Sequence, residues 1–340
     1  VPSLSMSATA VAPLIYNAIP IFCDVDLETL NPDPEHIKKL INGKTKAIII
    51  VHLLGHPANV NEIVKIAKEH HLLLIEDCAQ APLATFKDKY VGLFGDIGIF
   101  SLNYHKHIHT GEGGVCITND SNLAERLQLI RNHAESAVEG FDISNISNLI
   151  GFNFRMGEIE AAIGRCQIKK AYNLIELRRN NVNYFEKKLG DISGLKILKQ
   201  LPQYKHSYYS HSFIYQEEKT DISRDLIINA LRAELPCTEL RDDMDGALLG
   251  GGYSKPLYKL PLFQKKIAYG KNGYPFNLNK DVEYDYTSIN CPNAEYACKT
   301  VIEHELIRPP MSEKDLDCVV DAFHKVFENL SELKSFGKKH

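Results

Sequence analysis

The chain has 340 residues, of which 44% are hydrophobic and 24% charged, enough apolar material for one large domain and a smaller one. Its net charge of -4 and isoelectric point near 6.4 give no basic footprint for nucleic acid. No uninterrupted apolar stretch approaches the roughly 18 residues of a membrane span. Eight cysteines are scattered without metal-ligand or redox spacing, and several lie in apolar runs such as Val115-Cys116-Ile117. They are expected to be reduced core residues of a cytoplasmic protein. The chain opens on Val1-Pro2-Ser3, with no initiator Met and no signal peptide.

From Ser5 to Asn17 small and apolar residues recur with helical spacing, and Ile21-Phe22-Cys23-Asp24-Val25 reads as a strand. Lys46 to Leu54 is a β-branched run, Val60 to His71 an amphipathic helix and Leu72 to Ala79 a second buried strand. Asp96 to Leu102 and Gly114 to Thr118 add two strands, and Asp120 or Ser121 suits the cap of a helix starting near Leu123. Short apolar strands alternating with helices predict a mainly parallel sheet covered by helices on both faces.

Gly157 to Leu189 is helical, and its basic stretch Lys169-Lys170 to Arg178-Arg179 reads as a solvated face. Beyond it, His211 to Tyr215 reads as a strand, Arg224 to Leu235 as a helix and Glu303 to Arg308 as a weaker strand. Ser312 to Ser331 closes the chain as a helix, with Ser312 and Asp315 placed to cap it. Gly246 to Lys280, rich in Gly, Pro, Tyr and Lys, predicts long ordered loops. The expected division is a large domain over residues 1–165, a long linking helix over 166–190 and a small α/β C-terminal domain over 191–340.

Two places carry chemistry. Asp77 ends the run Leu72-Leu73-Leu74-Ile75-Glu76, at the C-terminal edge of a buried strand where ligands of open α/β sheets gather. On the residues alone, a functional acid and a helix or turn cap are nearly even readings. Lys106 stands between the strand-like Asp96 to Ser101 and the turn Thr110-Gly111-Glu112-Gly113-Gly114. A lysine before a glycine-rich turn, with a hydroxyl upstream at Ser101, can hold an aldehyde cofactor and anchor its phosphate. An isolated lysine in a polar loop is more often a surface residue. His105, His107 and His109 would share one face if the segment were a strand, but the glycine-rich turn argues for a loop and no acidic or cysteine ligand lies at suitable spacing. No metal site is expected.

The segments Glu76-Asp77-Cys78-Ala79-Gln80, Ser101 to Gly114 and Gly151-Phe152-Asn153-Phe154-Arg155-Met156 resemble the EDxAQ, SFxxxKxxTTGEGG and GYNYRM patterns of the DegT/DnrJ/EryC1/StrS sugar aminotransferases. The resemblance runs through nearly the whole chain and implies a fold-type-I, pyridoxal 5'-phosphate-dependent transferase. It implies that Lys106 forms the Schiff base and, once released, moves a proton as base and acid. By the same resemblance Asp77 pairs with the pyridine nitrogen, Gln80 lies near the phenolic oxygen, and Ser101 and Asn103 belong to the cofactor contacts. Asn153, with Arg155 beside it, would reach the cofactor of a partner subunit, so a homodimer is implied. The expected reaction moves an amino group, from glutamate or a similar donor, to a ketosugar, most simply a nucleotide-linked one.

The pattern departs at three positions. Met6 stands where an aromatic ring commonly stacks on the cofactor, Cys78 where alanine is frequent, and the SGTxAL segment is absent, so the chain is expected to be a piece of a longer polypeptide. A sugar dehydratase on the same scaffold, in which a histidine replaces the lysine, and a non-catalytic sugar-binding relative are the rival readings.

Overall fold

The computed structural model describes residues 1–135, 149–235, 247–278 and 284–337. The first half builds α1 (Ala8–Ile15), α2 (Pro34–Leu40), β1 (Ala47–Val51), α3 (Val60–Glu69) and β2 (Leu73–Asp77). A short hairpin of β3 (Thr85–Phe86) and β4 (Lys89–Tyr90), then β5 (Ile97–Ser101), β6 (Gly114–Ile117) and α4 (Ser121–Arg131) follow. Local chemistry fixes the helix starts. The Asn59 side chain accepts the Glu62 N–H at the head of α3, and Asp120 accepts the Leu123 N–H at the head of α4. On α3 the buried Val60, Ile63, Ile66 and Ala67 form the single apolar stripe that seats it against the sheet.

Strand order in the first sheet is β1-β2-β5-β6. β1, β2 and β5 run parallel, with Val51 opposite Asp77 and Asp77 opposite Ile99, so Asp77 sits at the C-terminal edge of a strand flanked on both sides. β6 runs antiparallel to β5. No helix crosses between these two strands, so the chain returns directly through residues 102–113, as only an antiparallel neighbour permits. Ile99 and Val115 stay exposed at this edge of the sheet.

α5 (Glu158–Leu189) spans 32 residues and stops at Gly190, whose φ of +61° suits glycine. The second half adds β7 (Leu195–Ile197), β8 (Tyr204–Lys205), β9 (His211–Tyr215), α6 (Glu217–Thr220), α7 (Arg224–Glu234) and β10 (Leu249–Gly250). It ends with α8 (Pro261–Gln264), α9 (Pro292–Thr300), β11 (Val301–His304), α10 (Glu313–Glu328) and α11 (Leu330–Gly337). An antiparallel sheet of order β10-β11-β9-β7 packs with α5, α7 and α10 around Phe185, Phe213, Ile302 and Phe323. Fully burying side chains of this size contributes about 1.5–3 kcal/mol each. Ser312 and Asp315 form the expected capping box at the head of α10.

Two features join the halves. β8 pairs with β3, and Phe22 from the first half packs with Tyr258, Phe263 and Tyr286 from the second. No described helix is long and apolar enough to cross a membrane.

Several expectations need correction. Residues 21–25 form no strand; Cys23 and Val25 make only isolated bridges, because the partners available are the short extended pieces at Pro2 and Pro32. The later strand lies at Val301–His304 rather than over residues 303–308, since Leu306 to Pro310 turn away after pairing with β9 ends. Cys116, Cys166 and Cys318 are exposed, while Cys23, Cys78, Cys291 and Cys298 are buried; all seven are free thiols. Arg178 is buried on α5 and not solvated, because it serves the backbone of residues 208–209. Within the expected loop region only short pieces are regular, and its ends Gly246, Asn279 and Lys280 lie outside the described residues.

Candidate active site

The end of β2 presents two acids to opposite sides, as strand alternation requires. Glu76 points inward, fully buried, and accepts from the backbone N–H groups of Gly92 (2.8 Å), Phe94 (2.7 Å) and Gly95 (2.6 Å). His52 Nδ1 accepts the Ala58 N–H at 2.9 Å, so its Nε2 carries the proton and donates to Glu76 Oε2 at 3.1 Å. Burial works to raise the Glu76 carboxyl, but these donors outweigh it and the group titrates below its ordinary value. His52, Glu76 and Cys78 cluster closely, yet the histidine nitrogens and carboxylate oxygens are already engaged, so the group is a structural clasp.

Asp77 points the other way. Its Oδ2 accepts from Thr9 Oγ1 at 3.0 Å and its Oδ1 from the Ala79 N–H at 3.1 Å, which fixes the carboxylate as an acceptor facing the strand ends. Gln80 follows one turn later. Its Oε1 accepts the Leu54 N–H at 2.7 Å and its Nε2 donates to the Tyr253 hydroxyl at 3.2 Å. Burial raises the Tyr253 phenol above its ordinary range, aided by Glu303 and, more weakly, by Tyr209 and Asp77. Tyr253 thus bonds to Gln80 and senses the charge of Asp77 and Tyr209.

Lys106 completes the group from the loop after β5. Ser101 Oγ accepts the Asn103 N–H at 3.2 Å, Asn103 Oδ1 accepts the His105 N–H at 3.1 Å, and the Asn103 carbonyl accepts the Lys106 N–H at 2.9 Å. This nest of turns is closed by Leu102, which exchanges backbone hydrogen bonds with Gly113 and Thr110. Gly113 has φ +151°, and a Cβ there would lie 3.0 Å from Thr110 Oγ1, so glycine keeps the cradle open. Lys106 Nζ lies 4.6 Å from the centre of the Tyr209 ring. An acid at a strand end, a lysine amine and the Ser101 hydroxyl are groups that fit an aldehyde cofactor bearing a phosphate.

The three neighbouring histidines do not share a face, because residues 103–109 turn and form no strand. His107 is buried and its Nε2 donates to the Ser207 carbonyl at 2.9 Å. Burial first, and then the Arg178 charge, push its pKa well below the ordinary histidine range, so it stays neutral. The other expected site residues lie elsewhere. Asn153 bridges Asn132 at the end of α4, where Arg155 Nη1 donates to Asn132 Oδ1 at 2.6 Å, so their contacts are with α4 and not with Asp77 or Lys106. Met6 is 61% exposed ahead of α1. Thr9, Tyr209, Tyr253, Arg178 and Arg308 belong to this region but carry no motif. The aromatic pair Tyr208-Tyr209 just before β9 is the sole sequence signal that could have pointed to one of them.

The chain is similar to known proteins along most of its length. The model of the DegT/DnrJ/EryC1/StrS aminotransferase family matches residues 1–324. GDP-perosamine synthase of Escherichia coli O157:H7 is 34% identical over 292 residues, which cover 85% of this chain and 77% of that protein. Among solved structures, Helicobacter pylori PseC, an aminotransferase involved in the biosynthesis of pseudoaminic acid, is similar with a TM-score of 0.79 at 26% identity. That match covers 96% of this chain and 78% of PseC. The E. coli GDP-4-keto-6-deoxy-D-mannose-3-dehydratase with bound hydrated PLP is also similar, with a TM-score of 0.76 at 28% identity over 95% of this chain and 78% of that one.

Proposed function

Because the chain belongs to the DegT/DnrJ/EryC1/StrS aminotransferase family, in which it is a pyridoxal phosphate-dependent sugar aminotransferase of fold type I, we propose that Lys106 is its cofactor lysine and Asp77 its ring acid. When bound, the cofactor supplies a ring that takes up the electron pair left at the donor's α-carbon. Asp77, held as an acceptor by Thr9 and Ala79, would keep a proton on the ring nitrogen. Lys106 Nζ would hold the aldehyde and afterwards carry the proton from the α-carbon. Ser101 and Asn103 would help hold the phosphate, and Gln80 would lie along the ring edge. The observation that carries this reading is that Asp77 and Gln80 follow β2 and Lys106 follows its paired neighbour β5, with Tyr253 hydrogen-bonded to Gln80 and the Tyr209 ring beside Lys106.

The acceptor proposed is a nucleotide-linked ketosugar, a choice supported by the relatives named for GDP- and dTDP-linked sugars, and the donor proposed is glutamate. A lysine in register supports aminotransfer over the dehydration carried out by a similar protein, whereas the adjacent His105 is the residue that keeps dehydration as the rival reading. The seven free thiols support a cytoplasmic setting, which cell fractionation checks. Lys106→Ala is expected to abolish both the visible absorbance of bound cofactor and glutamate-dependent amination of GDP- or dTDP-linked ketosugars; retention of both contradicts the assignment.

The proposed assembly is a homodimer in which Asn153, with Arg155 beside it, reaches the partner's cofactor. Supporting it, Ile150, Phe154, Ile159, Ile168 and Tyr172 are each more than 60% exposed around the start of α5. Sedimentation at twice the 38.3 kDa of one chain is expected, and sedimentation as a single chain contradicts it.

A further inference from the structure

Two cations share the Tyr209 ring. Lys106 Nζ lies 4.6 Å from its centroid and the Arg308 guanidinium carbon 5.4 Å. The ring is anchored through its backbone: the Tyr209 N–H donates to the Leu54 carbonyl at 2.9 Å, and the Tyr209 carbonyl accepts from Arg178 Nη1 at 3.3 Å and Arg308 Nη2 at 3.4 Å. Arg308 is held in turn by Glu305 at 2.6 Å. Around the same ring lie Arg308 with Glu305, the buried Arg178, His107, whose ring lies 5.9 Å from that of Tyr209, and Tyr253, which senses the Tyr209 phenol. A lysine amine ends a flexible stem of four carbons, so a fixed aromatic face can select where it rests.

We propose that Tyr209 is a positioning residue for Lys106: its ring face, fixed by its backbone contacts to Leu54 and Arg178, attracts the lysine ammonium and holds it over the site. An aromatic face draws a cation through its quadrupole, more strongly where water is excluded. The hydroxyl is not needed for this; the ring is. The proposal rests on the reading of Lys106 as the cofactor lysine.

The test is competitive acetylation of the cofactor-free protein across pH, read by mass spectrometry at the Lys106 peptide, with Lys255 as an exposed reference. Tyr209→Phe is expected to keep the wild-type pH midpoint. Tyr209→Leu, and 3,4,5-trifluorophenylalanine placed at 209, should lower it by about half a pH unit, making Lys106 roughly two- to fivefold more reactive below the midpoint. The fluorinated ring keeps the shape of phenylalanine and loses its negative face, so it carries the test even if the leucine variant does not fold. A merely structural role changes the extent of labelling and leaves the midpoint in place; equal midpoints for phenylalanine and its fluorinated form overturn the proposal. Borohydride reduction of the cofactor-loaded protein separates the two readings. Cofactor fixed to another lysine defeats the assignment of Lys106, whereas cofactor on Lys106 with unmoved midpoints defeats only the role of Tyr209.

Discussion

Asp77 and Glu76 are adjacent carboxylates with opposite fates, and strand alternation decides between them. Glu76 is consumed by His52 and by the N–H groups of residues 92–95, so it holds the turn that follows β4. Asp77 is anchored by one hydroxyl and one backbone N–H and keeps acceptor capacity towards the strand ends. Replacing its charge while keeping its shape, as in Asp77→Asn, is expected to lower kcat/KM for amination by about a hundredfold or more. The cofactor should still be retained on Lys106. Steady-state kinetics beside the absorbance spectrum check this, and a loss under threefold would show that Asp77 is a cap. At this scale the sequence was informative where a motif exists. For the proposed site, Asp77, Gln80, Ser101 and Lys106 are marked by the family resemblance, whereas Thr9, Tyr209 and Tyr253 come to them across long sequence separations that no local pattern encodes.

α5 does two different jobs along its length. Its second half is structural: Arg178 donates to the carbonyls of Tyr208 and Tyr209, and Arg179 to those of His206 and Leu83 while pairing with Glu176. These contacts clamp the segment that carries Tyr209. Burial lowers the Arg178 pKa to about 9, with Arg308 adding to the effect, yet at neutral pH the guanidinium stays charged. The first half turns Ile159, Ile168 and Tyr172 outwards. Ile159→Lys places a charge in the proposed dimer face and is expected to shift the sedimentation profile from two chains to one, with the thermal midpoint of the isolated chain little changed. An unaltered dimer would move the interface elsewhere. The helix itself was evident from its periodicity, and its end from Gly190. That its arginines face inwards was not, because a basic pair is as compatible with solvent as with a row of backbone carbonyls supplied by a distant loop. In the same way, β6 was legible as a strand, but its antiparallel direction depended on the loop between it and β5 lacking a helix.

The molecule as a whole buries several histidines in neutral form. Burial lowers His56 to about 4 from 6.5, and pushes His107, His206 and His304 well below the ordinary range. Between pH 6.5 and about 4 the unfolded chain binds a proton at His56 that the folded chain refuses, so stability falls as pH is lowered through that window and levels off beneath it. His56 alone corresponds to about 3 kcal/mol at the acid end, and the other three act in the same direction. Thermal midpoints measured from pH 7.5 to 4.5 should therefore decline steeply, and His56→Gln should flatten the decline; a wild-type midpoint constant to pH 4.5 would contradict the burial of these rings as neutral groups.

The alternation of strands and helices in the first half, and the presence of a second α/β unit after α5, follow from the order of apolar runs. How closely the halves are joined does not. The β3–β8 pairing and the packing of Phe22 on Tyr258, Phe263 and Tyr286 depend on residues hundreds of positions apart. It is that join which brings Tyr209 and Tyr253 to Lys106 and Asp77.

The most direct measurement of the whole account is borohydride reduction of the protein loaded with pyridoxal phosphate, followed by peptide mapping. The account predicts one covalently fixed cofactor per chain, on the peptide containing Lys106. Cofactor fixed to a different lysine, or none fixed at all, would contradict it.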